Sequence, residues 1–210
     1  MKLLFDIRTV IFSYVINGLP LQTGDIICTQ NGILDTNYPE AIRPGEFWHW
    51  VGQIVPGEVD HVAIYIGPAG RCIEAGSLGV VSFVVEEGWW NAPRMMAERG
   101  RFVDTFYGVA YPLEGRGLPP EEERRLRAEV GAYCLAQLGK PYNLNLLNPE
   151  HDHAFYCSQL VYKAYQPYGI QLNGDPHLRV LPGTQRIVYP QEIWDACRHR
   201  KSESSAGAGV

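Results

Sequence analysis

The run Asp60-His61-Val62-Ala63-Ile64-Tyr65-Ile66-Gly67, with Pro68-Ala69-Gly70 and Arg71-Cys72-Ile73-Glu74-Ala75 behind it, constrains this chain more than any other stretch. It reads as a strand, a turn and a returning strand. If Gly67 to Gly70 close the hairpin symmetrically, Ala63 lies opposite Glu74 and Tyr65 opposite Cys72. Strand side chains alternate, so His61, Ala63 and Tyr65 share one face of the sheet. Glu74 falls on that face one diagonal step from His61, roughly 7–8 Å between backbones and within reach of a long carboxylate. Ala63 between them is small and leaves room. A one-residue slip would turn Glu74 away. A histidine and a carboxylate on one face are two parts of a nucleophilic triad, although each alone is also an ordinary strand-end residue.

The third part comes from Phe155-Tyr156-Cys157-Ser158-Gln159-Leu160-Val161. Leu160, Val161, Ala164, Tyr165 and Tyr168 recur at helical spacing, which predicts a helix ending near Tyr168-Gly169. Cys157 lies on the same apolar face, in the first turn, where the helix dipole favours a thiolate. The alternative is a buried cysteine acting as a small hydrophobe. The other cysteines are Cys28, Cys72, Cys134 and Cys197. Five widely spaced cysteines are no disulfide framework, and no C-x-x-C pair suggests a zinc site. With the partners in place, the thiolate would attack an acyl carbon and His61 would move the protons. Glu74 would hold the imidazole in one tautomer, and the Cys157 backbone N–H would meet the oxyanion.

At 210 residues the chain suits one domain, expected over 1–200, with insertions near 31–58 and 77–118 and a disordered tail over 201–210. The net charge of −5 is mild, and no basic stripe points to nucleic acid. No apolar run is long enough to span a membrane, and Asp6 and Arg8 interrupt the N-terminal apolar stretch. The expectation is an N-terminal helix or strand packed on the domain, no signal peptide, and a cytoplasmic location. Further along, Leu21 to Gln30 reads as a turn feeding a strand, Val80 to Val85 and Phe102 to Tyr111 as strands, and Leu118 to Leu138 as a helix entered through prolines and acids. Trp89 to Met96 is a bulky apolar cluster with no obvious period. Gly183 to Pro190 reads as a late strand, and Gln191 to His199 as a terminal helix.

Taken in order, Gly24-Asp25-Ile26-Ile27, His61 to Gly67, Ile73-Glu74-Ala75, Gly139-Lys140-Pro141-Tyr142 and Tyr156 to Val161 resemble the NlpC/P60 papain-like cysteine peptidases. The histidine strand precedes the cysteine helix, the reverse of the ordinary order. That order is similar to the circularly permuted branch, the YiiX/YaeF-like amidases, and more distantly to lecithin:retinol acyltransferase-like proteins. Ile187-Val188-Tyr189-Pro190-Gln191-Glu192-Ile193 also resembles a segment that follows the cysteine helix in that branch. The resemblance implies an α+β fold, an antiparallel sheet or small barrel packed against the nucleophile helix. It implies Cys157 as nucleophile, His61 as base and Glu74 as third residue, with Tyr142, Ser158 and Tyr156 as candidates near substrate or oxyanion. No metal or cofactor is implied. The expected substrate is a peptide, a cell-wall peptide fragment or a small amide. Ser158-Gln159 stands where acyltransferase relatives differ, which favours the amidase branch.

Three other readings stay open. His151, His153 and Cys157 could bind zinc. Trp89, Trp90, Met95 and Met96 could form a lid over a lipid or acyl substrate. The fold could also bind peptides or lipids with its triad idle.

Overall fold

The computed structural model describes residues 10–30, 56–100, 102–174 and 187–203. The expected insertion over 31–58 therefore lies largely outside the described residues, as do most of the C-terminal tail and the first part of the expected late strand. Ile187 to Tyr189 carry no strand.

The expected hairpin forms as β4 (His61–Gly67) and β5 (Arg71–Gly76). Ile64 pairs with Ile73 and Tyr65 with Cys72, the symmetric register, and the ladder slips only past Tyr65. Around this pair stand β1 (Ser13–Ile16), β2 (Leu19–Gln22), β3 (Ile26–Gln30), β6 (Gly79–Val84), β7 (Thr105–Tyr111) and β8 (Arg198–Lys201). Among the described residues, β6-β5-β4-β3-β7-β8 make one antiparallel sheet and β1-β2 a separate hairpin. Among the described residues the sheet is open, with β6 and β8 at its edges, and no small barrel forms. The stretch before Ile16 is a strand, turned back at Asn17-Gly18 with φ of 47° and 80°. That pair of positive angles suits a tight hairpin whose twist matches its strands.

Every residue of β4 is buried, because both faces of the sheet are covered. Val62, Ile64, Ile66, Ile73 and Ala75 join one cluster with α2 (Pro120–Ala136) and α3 (Cys157–Tyr165). Ala63, Tyr65, Cys72 and Phe83 join a second with Ile16, Leu21 and Met95, the last from α1 (Ala92–Arg99). Leu160, Val161, Ala164 and Tyr165 bury the predicted face of α3. Burying a Leu or Val side chain stabilises by about 1.5–3 kcal/mol, so this face alone fixes the helix on the sheet. Tyr168 leaves that face. It sits in a 3-10 turn and is more than a third exposed.

Two further expectations fail. Trp89 to Met96 enters a helix: Asn91 caps α1 by accepting from the Arg94 N–H, with Pro93 in the first turn. The terminal helix stops early as α4 (Pro190–Ala196), and Arg198 to Lys201 pair with β7 instead. The open ladder of β7 outweighs the helical tendency of that short segment.

Candidate active site

Cys157 is the first residue of α3, after Tyr156 in extended conformation (φ −94°, ψ 166°). Gln159 secures this start. Its Oε1 accepts from the Tyr156 N–H at 3.3 Å and from Asn143 Nδ2 at 2.9 Å, while its Nε2 donates to the carbonyls of Pro149 and His151 at 2.9 and 3.1 Å. The connection from Asn143 to His151 is thereby tied to the helix entrance. Tyr142 bridges Phe155 in parallel, with Phe155 N–H donating to Pro141 and Asn143 N–H to Phe155. Tyr142 packs on the cluster that holds Cys157. Burial pushes its hydroxyl well above the ordinary tyrosine range, helped by the charge at Cys157 and by Tyr156.

His61 opens β4, and its Nε2 lies 2.9 Å from Glu74 Oε2. The carboxylate can only accept, so Nε2 carries the proton and Nδ1 is left for Cys157. Burial opposes a charged imidazole here. The Cys157 and Glu74 charges and their hydrogen bonds overcome it and hold His61 well above the usual histidine range. Both His61 and Cys157 are 7% exposed. Burial pushes the other four thiols up, Cys134 and Cys197 to about 12. Cys157 differs from them in facing an imidazole.

The site straddles the end of the sheet. His61 and Glu74 share strand parity with Ala63 and Cys72, which pack toward α1, whereas Cys157 belongs to the cluster on the α3 side. They meet because His61 is the first residue of its strand.

Behind Glu74 stands a group that sequence reasoning missed. Arg99 Nε and Nη2 donate to Glu74 Oε1 and Oε2 at 2.9 and 2.8 Å. Its Nη1 and Nη2 donate to Asp104 Oδ1 and Oδ2 at 2.8 and 2.9 Å. Asp104 also accepts from Thr29 Oγ1 at 2.8 Å and Trp90 Nε1 at 3.0 Å. Burial would raise both carboxyls, but Arg99 and His61 hold Glu74 and Asp104 below the usual carboxylate range. The available signals were Asn91 and Pro93 at a helix start, and Arg99-Gly100 at its end.

The remaining candidates are placed as follows. The Tyr156 hydroxyl accepts from Val188 N–H at 3.1 Å, and Ser158 Oγ donates to the Val188 carbonyl at 2.7 Å. His151 and His153 stack at 5.9 Å, but among the described residues no three potential ligands cluster, so they form no metal set with Cys157. Trp90 and Met95 are inward and Trp89 is exposed, so the expected lid is divided between core and surface. No described helix is long and apolar enough to cross a membrane.

A histidine strand ahead of a cysteine helix, joined across an antiparallel sheet, defines a permuted papain-like enzyme. The model of the C92 family, permuted papain-like amidases of the YaeF/YiiX type, matches residues 21–181, and the chain belongs to that family. It is therefore a cysteine amidase or peptidase by family. No curated protein and no solved structure matches the chain.

Proposed function

We propose that the chain hydrolyses an amide bond, in a peptide, a cell-wall peptide fragment or a small amide, through Cys157, His61 and Glu74. The observation that carries this is the His61 imidazole held by Glu74 at Nε2 with Cys157 on its other side. The Cys157 thiolate attacks the amide carbon and its electron pair forms the C–S bond. The oxyanion that results is met by the Cys157 backbone N–H, an orphan donor at a helix start, and by the Tyr142 hydroxyl. The tetrahedral species collapses, the C–N bond breaks, and protonated His61 gives its Nδ1 proton to the leaving amine. Neutral His61 then takes a proton from water, which attacks the thioester and releases the acid. Glu74 keeps the ring in the required tautomer throughout. Tyr156 and Ser158 serve by holding Val188 beside the nucleophile, since their hydroxyls already bond it.

Alkylation with iodoacetamide between pH 5 and 9, mapped by mass spectrometry, tests this reading. Cys157 should react fast near neutrality in the folded chain, and His61→Ala should remove the advantage. Cys157→Ala and His61→Ala should each abolish turnover of amide substrates, and Glu74→Ala should weaken it less. A Cys157 no more reactive than Cys28 or Cys197 would overturn it.

A further inference from the structure

We propose that Arg99, braced by Asp104, is a positioning residue of this centre: it fixes the Glu74 carboxylate and, through it, the orientation and charge of His61. The proposal rests on the Cys157–His61–Glu74 reading. A glutamate carboxylate ordinarily turns freely about its last bond. Here Arg99 grips both of its oxygens, and Oε2 is shared between Arg99 Nη2 at 2.8 Å and His61 Nε2 at 2.9 Å. Glu74 cannot rotate toward or away from His61 without breaking that fork. The planar guanidinium suits such two-point contact on both carboxylates at once.

Arg99 is itself held on every side. Its guanidinium carbon lies 4.8 Å from the Phe83 and Trp90 ring centres and 6.0 Å from that of Phe102. Phe102 also flanks His61, with ring centres 5.4 Å apart. Asp104 is tied to Thr29, which pairs directly with His61 across β3 and β4. The chain of contacts thus returns to the strand that carries the base. A buried ion network of this kind is not needed for stability, since apolar side chains of similar volume fill such space as well. Its contact with the imidazole is what sets this one apart.

The charges that bear on His61 are Cys157 from α3, Glu74 from β5 and Asp104 ahead of β7, and Arg99 from α1 acts on it through the two carboxylates. Asp104→Asn keeps shape and removes one negative charge, so the imidazolium should lose its proton more easily. Arg99→Lys keeps charge and loses the fork.

The test compares iodoacetate with iodoacetamide at Cys157 of the full chain from pH 5 to 10. An imidazolium beside the thiolate favours the anionic reagent, so the rate ratio falls as His61 loses its proton. In Asp104→Asn that fall should move to lower pH by about one unit. In Arg99→Lys, alkylation should slow about tenfold. A merely structural network would leave the ratio curve in place. Folded variants, judged by near-UV circular dichroism, that match the wild-type curve and rate overturn the proposal. If neither folds, wild-type nitrogen-15 spectra decide. A slowly exchanging Nε2 proton on His61 supports the clamp, and rapid exchange refutes it. A wild-type chain whose Cys157 shows no selective reactivity defeats the catalytic reading itself, and the proposal with it.

Discussion

Replacing Arg99 by methionine should be among the costliest single changes in this fold. The Arg99 side chain is 0% exposed, and those of Glu74 and Asp104 are 1% and 0%. Methionine retains most of the apolar stem against Phe83 and Trp90, so little packing is lost. What remains is a pair of buried carboxylates without their shared cation. Removing one partner of a buried pair costs about 3–5 kcal/mol. Two anions are stranded here, which argues for the upper end. Glu74 keeps His61, and Asp104 keeps the Thr29 and Trp90 donors, which argues for the lower. The expected loss is therefore about 4 kcal/mol, a large share of the stability of a domain whose total is about 5–15 kcal/mol. Adding Glu74→Gln and Asp104→Asn to Arg99→Met should restore much of it, because no charge is then stranded. The gap to wild type should also narrow as pH falls, since stranded carboxylates take up protons. Urea unfolding at pH 7 and pH 5 measures both effects. A loss below about 1 kcal/mol at pH 7, or a gap that does not shrink at pH 5, would refute the reasoning.

Two further outcomes concern the same neighbourhood. Glu74 and Asp104 are held below their ordinary values of 4.5 and 3.8. The native state thus binds fewer protons than the unfolded chain in that range. Their contribution is complete above those values and lost as pH falls below them, and Asp104→Asn should flatten the acid side of a stability–pH curve. Gly100 ends α1 directly behind Arg99 with φ 83° and ψ −176°, and a Cβ there would strike Ser77 Oγ. Gly100→Ala should cost about 1–3 kcal/mol and depress Cys157 alkylation, measured by thermal unfolding and mass spectrometry.

The juxtaposition of His61 and Glu74 was legible because a hairpin is a local object. One turn fixes the pairing of β4 and β5, and parity then places His61 and Glu74 without knowledge of the remaining fold. The α3 entrance was legible for the same reason, since its apolar spacing lies within a few turns. Arg99 and Asp104 were not. Their partners lie at Glu74 and Thr29, 25 and 75 positions away, and nothing local announces that two acids and a guanidinium will share one dry space. Asn17-Gly18 was a local turn signal that went unused. The strand at Arg198 to Lys201 was hidden for a different reason: its conformation is dictated by the ladder it completes.

Because the sheet of the described residues stays open, it has two flanks at which a foreign strand could be accepted, and they are guarded differently. On the β6 flank, Glu98 of α1 accepts the Val84 N–H at 3.0 Å, taking up a donor that a neighbour would need. On the other flank the guard is Arg-His-Arg-Lys, every residue of it exposed. Such a fringe of cations repels a second copy of itself. Inside it lies Thr105–Tyr111, a run of aromatic and apolar residues buried in all but its first position. A chain cut before Arg198 would present that run bare to solvent, and it should gather into aggregates before it loses its fold.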